Sequence, residues 1–154
     1  MEEPATIHNT FVIEKTYPVP PEAAFRAFSD VDVKRRWYAE GAVDLYENDF
    51  RVGGRERVHM RMPQGSPAPG APMIHEGFYT DIVENRRIVI ASWMAMAEHR
   101  FSVSQTTFEF LRTMDGTHLV CTHQGAFFEN SDGPQTRKHG WNVLLDRLGG
   151  SLAA

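Results

Sequence analysis

Along most of the chain apolar and polar residues alternate with a period of two, and at three places the pattern changes to a helical one. The first strand is predicted over Phe11 to Tyr17 of NTFVIEKTYPV, rich in β-branched and aromatic residues, with Pro18 ending it. In VPPEAAFRAFSD, Pro21 suits the first turn of a helix and Glu22 its positive end, while Ala24, Phe25 and Phe28 form an apolar stripe. Ser29 with Asp32 three residues on resembles a capping box, which would start a second short helix through VDVKRRWY and bury Trp37.

From there to Gln124 the alternation predicts hairpins, separated by turn signals at VGG (Val52 to Gly54), PQGSPAPGAP (Pro63 to Pro72), ENRR and MDG. Asp115-Gly116 favours a two-residue loop, which sets Phe110 opposite Cys121 and Phe108 opposite His123 on a covered face. Thr107, Glu109, Thr122 and Gln124 then occupy a wet face. At the end of the chain Asp132 can cap a helix with Pro134 in its first turn and Gln135 at its third position. Trp141, Leu144, Leu145, Leu148 and Leu152 give that helix one broad apolar face.

A chain of 154 residues can bury a core of its own, and one domain spanning 1–154 is expected. The formal charge of -4 disfavours nucleic acid and anionic membrane as partners, and the longest apolar run, IVIASWMAMA, is about half the length of a bilayer span. The single Cys121 cannot form an internal disulfide and no signal peptide opens the chain, so a reducing cytoplasm is the expected location.

Seven histidines invite a metal, but no H-E-x-x-H, C-x-x-C or facial-triad spacing is present, so neither metal nor cofactor is expected. His59 and His75, equidistant from the middle of the Pro-rich loop, could face each other across a hairpin, and His139 falls at the surface. His123 on the covered face needs a partner: either a backbone group, as in an ordinary core histidine, or a ligand or transferred proton. There is no G-x-S-x-G elbow, and Cys121 on an apolar strand reads as an inert thiol. RVGGR precedes a strand rather than a helix and is a turn, not a phosphate loop, and Asp44, Glu47 and Asp49 read as solvated.

FVIEKTYPVPPEAAFRAFSD, RRWYAEG, DFRVGGRERVHM, EGFYTDIVENRRIVIASW, GTHLVCTHQGAF and HGWNVLLDRL, in this order from Phe11 to Leu152, resemble the activator of heat-shock protein 90 ATPase homologue family. That family lies within the START-like, polyketide-cyclase superfamily. The resemblance implies an α+β helix-grip fold: two short helices after strand 1, and a curved antiparallel sheet of six or seven strands around a long C-terminal helix. Members that stimulate the chaperone in the stress response carry this domain behind a separate N-terminal one. With about ten residues before the first strand, the expectation here is a stand-alone binder of a small hydrophobic or aromatic molecule.

The implied site is the cavity between sheet and long helix. Its candidates are Trp37 at the mouth; Tyr79 and Trp93, where the family tends to show cavity-facing aromatics; Phe108, Phe110, Cys121 and His123 on the covered face; and Trp141 and Leu144 on the helix. A symmetric ENRR turn would pair Phe78 with Trp93 and turn Tyr79 away, so Tyr79 points inward only if a β-bulge near Asp81 shifts the register. Gly140 would let the N-terminal end of the helix approach the sheet while Trp141 and the leucines hold the rest away. A cyclase- or hydrolase-like enzyme using His123 and Tyr79, and a co-chaperone or protein-interaction module, are the alternatives. The sequence leaves monomer and homodimer open.

Overall fold

The computed structural model describes residues 1–41 and 43–153. Among these, seven strands form one antiparallel sheet: β1 (Ile7–Tyr17), β2 (Val43–Asn48), β3 (Arg55–Arg61), β4 (Pro72–Val83), β5 (Arg87–Met96), β6 (His99–Arg112) and β7 (Thr117–Phe127). Their spatial order is β1-β7-β6-β5-β4-β3-β2, so β1 closes onto the last strand while the rest run as a meander. The curved sheet holds three helices, α1 (Pro21–Ser29), α2 (Val31–Tyr38) and the long α3 (Pro134–Ala153), in an α+β helix-grip arrangement.

Helix α1 starts with Pro21 in its first turn and buries Ala24, Phe25, Ala27 and Phe28. It runs through Ser29, so the cap of α2 is Asp30 and not Ser29: one carboxylate oxygen accepts from the N–H groups of Asp32 and Val33, at 3.1 and 3.3 Å. Asp132 likewise does not cap α3; it grips the Arg137 guanidinium through both oxygens, each at 2.8 Å.

Register decides which side chains reach the concave face. The β6–β7 loop has four residues, Thr113 to Gly116, closed by the Thr113 N–H on the Gly116 carbonyl at 3.0 Å. Phe110 therefore faces Leu119, Phe108 faces Cys121 and His123 faces Thr106, two positions from the expected pairing. A slip of two leaves every side chain on its expected face. Gly116 is needed for close approach rather than for a two-residue turn, since a Cβ there would fall 2.1 Å from the Tyr17 carbonyl oxygen.

Between β4 and β5 the pairing shifts between Tyr79 and Asp81, so a bulge does turn Tyr79 inward, 2% exposed, opposite Ile90. The β2–β3 turn helps to hold it. The Gly53 N–H donates to the Tyr79 carbonyl at 2.8 Å and the Tyr79 N–H to the Gly54 carbonyl at 3.0 Å. The same register puts Trp93 opposite Glu76 on the convex face, under the guanidinium of Arg100 at 4.4 Å. Trp93 thus does not face the interior. His59 and His75 lie on opposite faces, because Val58 and not His59 pairs with His75; the long Pro-rich loop does not fix that register.

The stripe of α3 is buried at Trp141, Leu145 and Leu148, with Leu144 and Leu152 partly covered, but its first buried member is Arg137. Gly140 is exposed and a Cβ there would meet nothing. Close approach occurs instead at the other end, where a Cβ on Gly149 would stand 3.2 Å from the Tyr17 ring. The C-terminal half of α3 is therefore the tightly seated one, and the N-terminal half spans to the sheet through long side chains.

Candidate polar trench beneath the long helix

One cross-strand row on the concave face contains no large apolar side chain. It runs Asn9, Gly125, Ser104, Ser92, Gly77, Glu56, Asn48, one residue from each strand in spatial order, each paired with the next. Side chains across a sheet stand about 5 Å apart, so seven small or polar residues in register make a polar band, or trench, between rows of larger side chains. The neighbouring row toward α1 carries Phe11, His123, Thr106, Ile90 and Tyr79, and the one on the other side Phe127, Ser102, Met94 and His75. A Cβ on Gly77 would meet the Ala91 carbonyl at 2.8 Å, and one on Gly125 would meet the His123 and Phe127 rings at 2.9 Å.

The N-terminal half of α3 bridges this trench. Arg137 donates to Ser102 Oγ at 2.8 Å and lies 5.0 Å from the Phe127 ring centre, while Trp141 packs edge-on against Phe108 at 5.5 Å. The Ser104 and Thr106 rows fall between these two contacts. Tyr38, at the end of α2, tilts against Trp141 at 6.1 Å and completes the cover.

A hydrogen-bonded chain crosses the floor: Tyr38 hydroxyl to His75 Nδ1 at 3.1 Å, His75 Nε2 to Ser92 Oγ at 3.1 Å, and Ser92 Oγ to Ser104 Oγ at 3.1 Å. At the β2–β3 end a second network surrounds a buried ion pair. Lys34 Nζ lies 2.6 Å from Glu56 and 4.5 Å from the Tyr38 ring centre. The Tyr46 hydroxyl donates to Glu56 at 2.9 Å and that of Tyr79 to Asn48 at 2.8 Å. Each buried charge has its opposite: Lys34 with Glu56, and Arg137 with Asp132.

Burial, with the charges of Arg137 and Lys34 nearby, drives the His75 pKa down to about 3. Burial, then the charges of Arg137 and His75, lowers that of His123 to about 4. Both imidazoles are neutral at physiological pH. Burial also raises the Tyr38 and Tyr79 hydroxyls far above their ordinary value and pushes the Cys121 thiol up to about 12, so these groups keep their protons.

The structure brings His123, Tyr79, Trp141 and Phe108 to the trench or its edges, with Leu144 partly buried beside them. It places Trp37 inside the core, 1% exposed, its indole N–H on the Ala27 carbonyl at 2.9 Å, rather than at a mouth. Phe110 packs against Phe25 and Phe28 beneath α1, and Cys121 is fully buried between Ile13 and Phe108. Two surface hollows, of about 500 and 410 Å³, are present: one between α1 and the β4–β5 turn, the other at the β1, β7 and β6 end of the sheet, where Asn9, Ser104 and Gly125 of the polar row line it together with outward-facing neighbours such as His8, Thr10 and Gln124. Sequence reasoning missed Arg137, Lys34, Glu56 and His75. The spacing held a signal for each, since Arg137 stands four residues before Trp141, Lys34 three before Trp37, and Glu56 and His75 alternate with Val58 and Tyr79.

The profile of a family described as activator of Hsp90 ATPase homolog 1-like protein matches residues 18–153. The chain belongs to this family. A protein from Rhizobium loti superposes with a TM-score of 0.87 at 39% identity, covering 96% of this chain and 99% of its own. One from Rhizobium leguminosarum reaches a TM-score of 0.89 at 34% identity, covering 96% of each chain. A Chromobacterium violaceum protein, 23% identical with a TM-score of 0.77 over 95% of this chain and 99% of its own, shares the fold. None of the curated proteins compared with the chain matches it. The activator-homolog span takes in every strand of the trench except β1, which adds Asn9. Among the described residues no helix is long and apolar enough to cross a membrane, and no three His, Cys, Asp or Glu gather as metal ligands.

Proposed function

We propose that this activator-homolog chain, acting as one START-like domain, binds a small, largely apolar or aromatic molecule in the trench between the sheet and the N-terminal half of α3. The observation that carries this reading is the seven-residue row from Asn9 to Asn48. A core built only for stability fills such a row with large apolar side chains; this one holds two glycines, two serines and two asparagines around one paired carboxylate. Aromatic cover from Trp141 and Tyr38 above a few fixed polar groups is the composition of a small-molecule site. Because the C-terminal half of α3 is pinned at Tyr17 and Gly149, entry involves the N-terminal half and its Arg137 contacts.

Binding is favoured over acid-base catalysis by the site's own electrostatics. A catalytic base works best with a pKa near the working pH, whereas His75 and His123 are driven to about 3 and about 4 and the tyrosines upward. The expected setting is a cytoplasmic one, with the small molecule rather than nucleic acid or membrane as partner. Native mass spectrometry of the purified protein tests the proposal: a bound small molecule released by mild activation supports it. Failure to retain any molecule, together with no saturable uptake of an added apolar dye, contradicts it.

A further inference from the structure

Among the described residues two buried side-chain polar atoms have no hydrogen-bond partner, Asn9 Oδ1 and His123 Nδ1. They belong to one corner of the trench. Asn9 pairs directly with Gly125 across β1 and β7, and the His123 ring reaches over that same glycine, its Cε1 2.9 Å from where a Cβ would stand. The His123 and Phe127 rings close over the glycine, each 2.9 Å from where a Cβ would stand, so the absent side chain is what lets the imidazole lie beside Asn9. The ring itself is held rigidly, stacked on Phe11 at 4.6 Å with 3° between the planes and flanked by Phe127 at 6.1 Å. Buried polar atoms are nearly always partnered, and two orphans at one glycine point to a group that is absent from the protein chain itself.

From this corner, and resting on the reading of the trench as a binding site, we infer that the ligand carries an uncharged hydroxyl group which docks between Asn9 Oδ1 and His123 Nδ1. The amide oxygen is acceptor only, so the partner must donate; a hydroxyl spends its one proton there and accepts, at the same oxygen, from His123 in its Nδ1–H tautomer. An ionised carboxylate cannot donate to Asn9. An ammonium would enter a site whose charges are already matched, Lys34 by Glu56 and Arg137 by Asp132, and would stay uncompensated. The apolar body of the ligand then lies along the Ser104 and Ser92 floor beneath Trp141.

Three probes of one shape separate the outcomes: naphthalene, a naphthol and the matching naphthoate, titrated against the full chain by tryptophan fluorescence. The naphthol is expected to bind about tenfold or more tightly than either of the others. His123→Phe keeps the stacking on Phe11 and is expected to abolish the naphthol preference, read as the ratio of naphthol to naphthalene affinity; Asn9→Leu should reduce the same ratio. If naphthalene and naphthol bind equally and His123→Phe changes neither, the corner holds only a water, and the hydroxyl inference is overturned while the trench stands. If none of the three binds, the trench reading itself fails.

Discussion

The Tyr17 hydroxyl donates to the main-chain carbonyl of Leu145 at 2.8 Å, and the same ring lies against the open side of Gly149 one turn on. These contacts seat α3 at its C-terminal half, whereas Gly140 faces solvent. Gly140→Ala should therefore stabilise the protein by about 0.5 to 1 kcal/mol through helix propensity alone. Gly149→Ala should fall short of that gain, and Gly149→Val should cost about 1 to 3 kcal/mol by overpacking against a tyrosine that cannot move. Urea unfolding of the three variants checks the order; equal effects at both glycines would remove the basis for a helix seated at one end.

Trp141→Ala removes the indole that covers the trench, 8% exposed and packed on Phe108 and Tyr38. The expected loss is about 3 to 5 kcal/mol. A loss below about 1 kcal/mol would show that the ring is not part of the packed interior.

The buried pair gives an asymmetric expectation. Lys34→Met leaves Glu56 charged and enclosed, with only the Tyr46 hydroxyl to bond it, and should cost about 3 to 5 kcal/mol. Adding Glu56→Leu should restore most of that loss, because apolar residues replace both ions. Circular dichroism melts of single and double variants decide this; a double variant no better than Lys34→Met alone contradicts it.

Acid should weaken the fold through the histidines. His123 has a folded-state pKa of about 4, below its unfolded value near 6.5, so the unfolded chain binds the extra proton first as pH falls. Stability is complete above the unfolded value and declines from there toward pH about 4, by about 1.4 kcal/mol for each tenfold difference in proton affinity. His75 acts in the same direction and further into acid. His123→Phe should flatten part of the slope between pH 6.5 and 4.5, measured as the shift in urea midpoint; an unchanged slope would mean that His123 takes its proton readily in the folded state.

Much of the fold could be read from the chain because alternation survives errors of two. The β6–β7 hairpin is displaced by two positions, yet Phe108, Phe110, Cys121 and His123 keep the concave face. An error of one is not forgiven: the family pattern suggested an inward Trp93, and the bulge that brings Tyr79 inside leaves Trp93 outside. The polar row from Asn9 to Asn48 depends on six registers at once, so no local pattern announces it. Lys34, Glu56 and Arg137 were hidden differently. Charged residues read as solvated unless their partners are known, and these partners lie in other elements or, for Asp132, in the place of a helix cap.

A binding trench under the N-terminal half of α3 and a filled core respond differently to added bulk at Ser104, the third of the seven residues in the polar row. Among the described residues the Ser104 hydroxyl is bonded only to Ser92, which keeps its bond to His75, so Ser104→Leu fills the trench while the floor network survives. The decisive measurement is titration of an apolar fluorescent dye into the native protein and into Ser104→Leu, with urea unfolding of both. Saturable one-site binding that quenches tryptophan emission is expected in the native protein, and its loss in a Ser104→Leu variant that still unfolds cooperatively. Absence of binding to the native protein, or undiminished binding in Ser104→Leu, would contradict the binding trench.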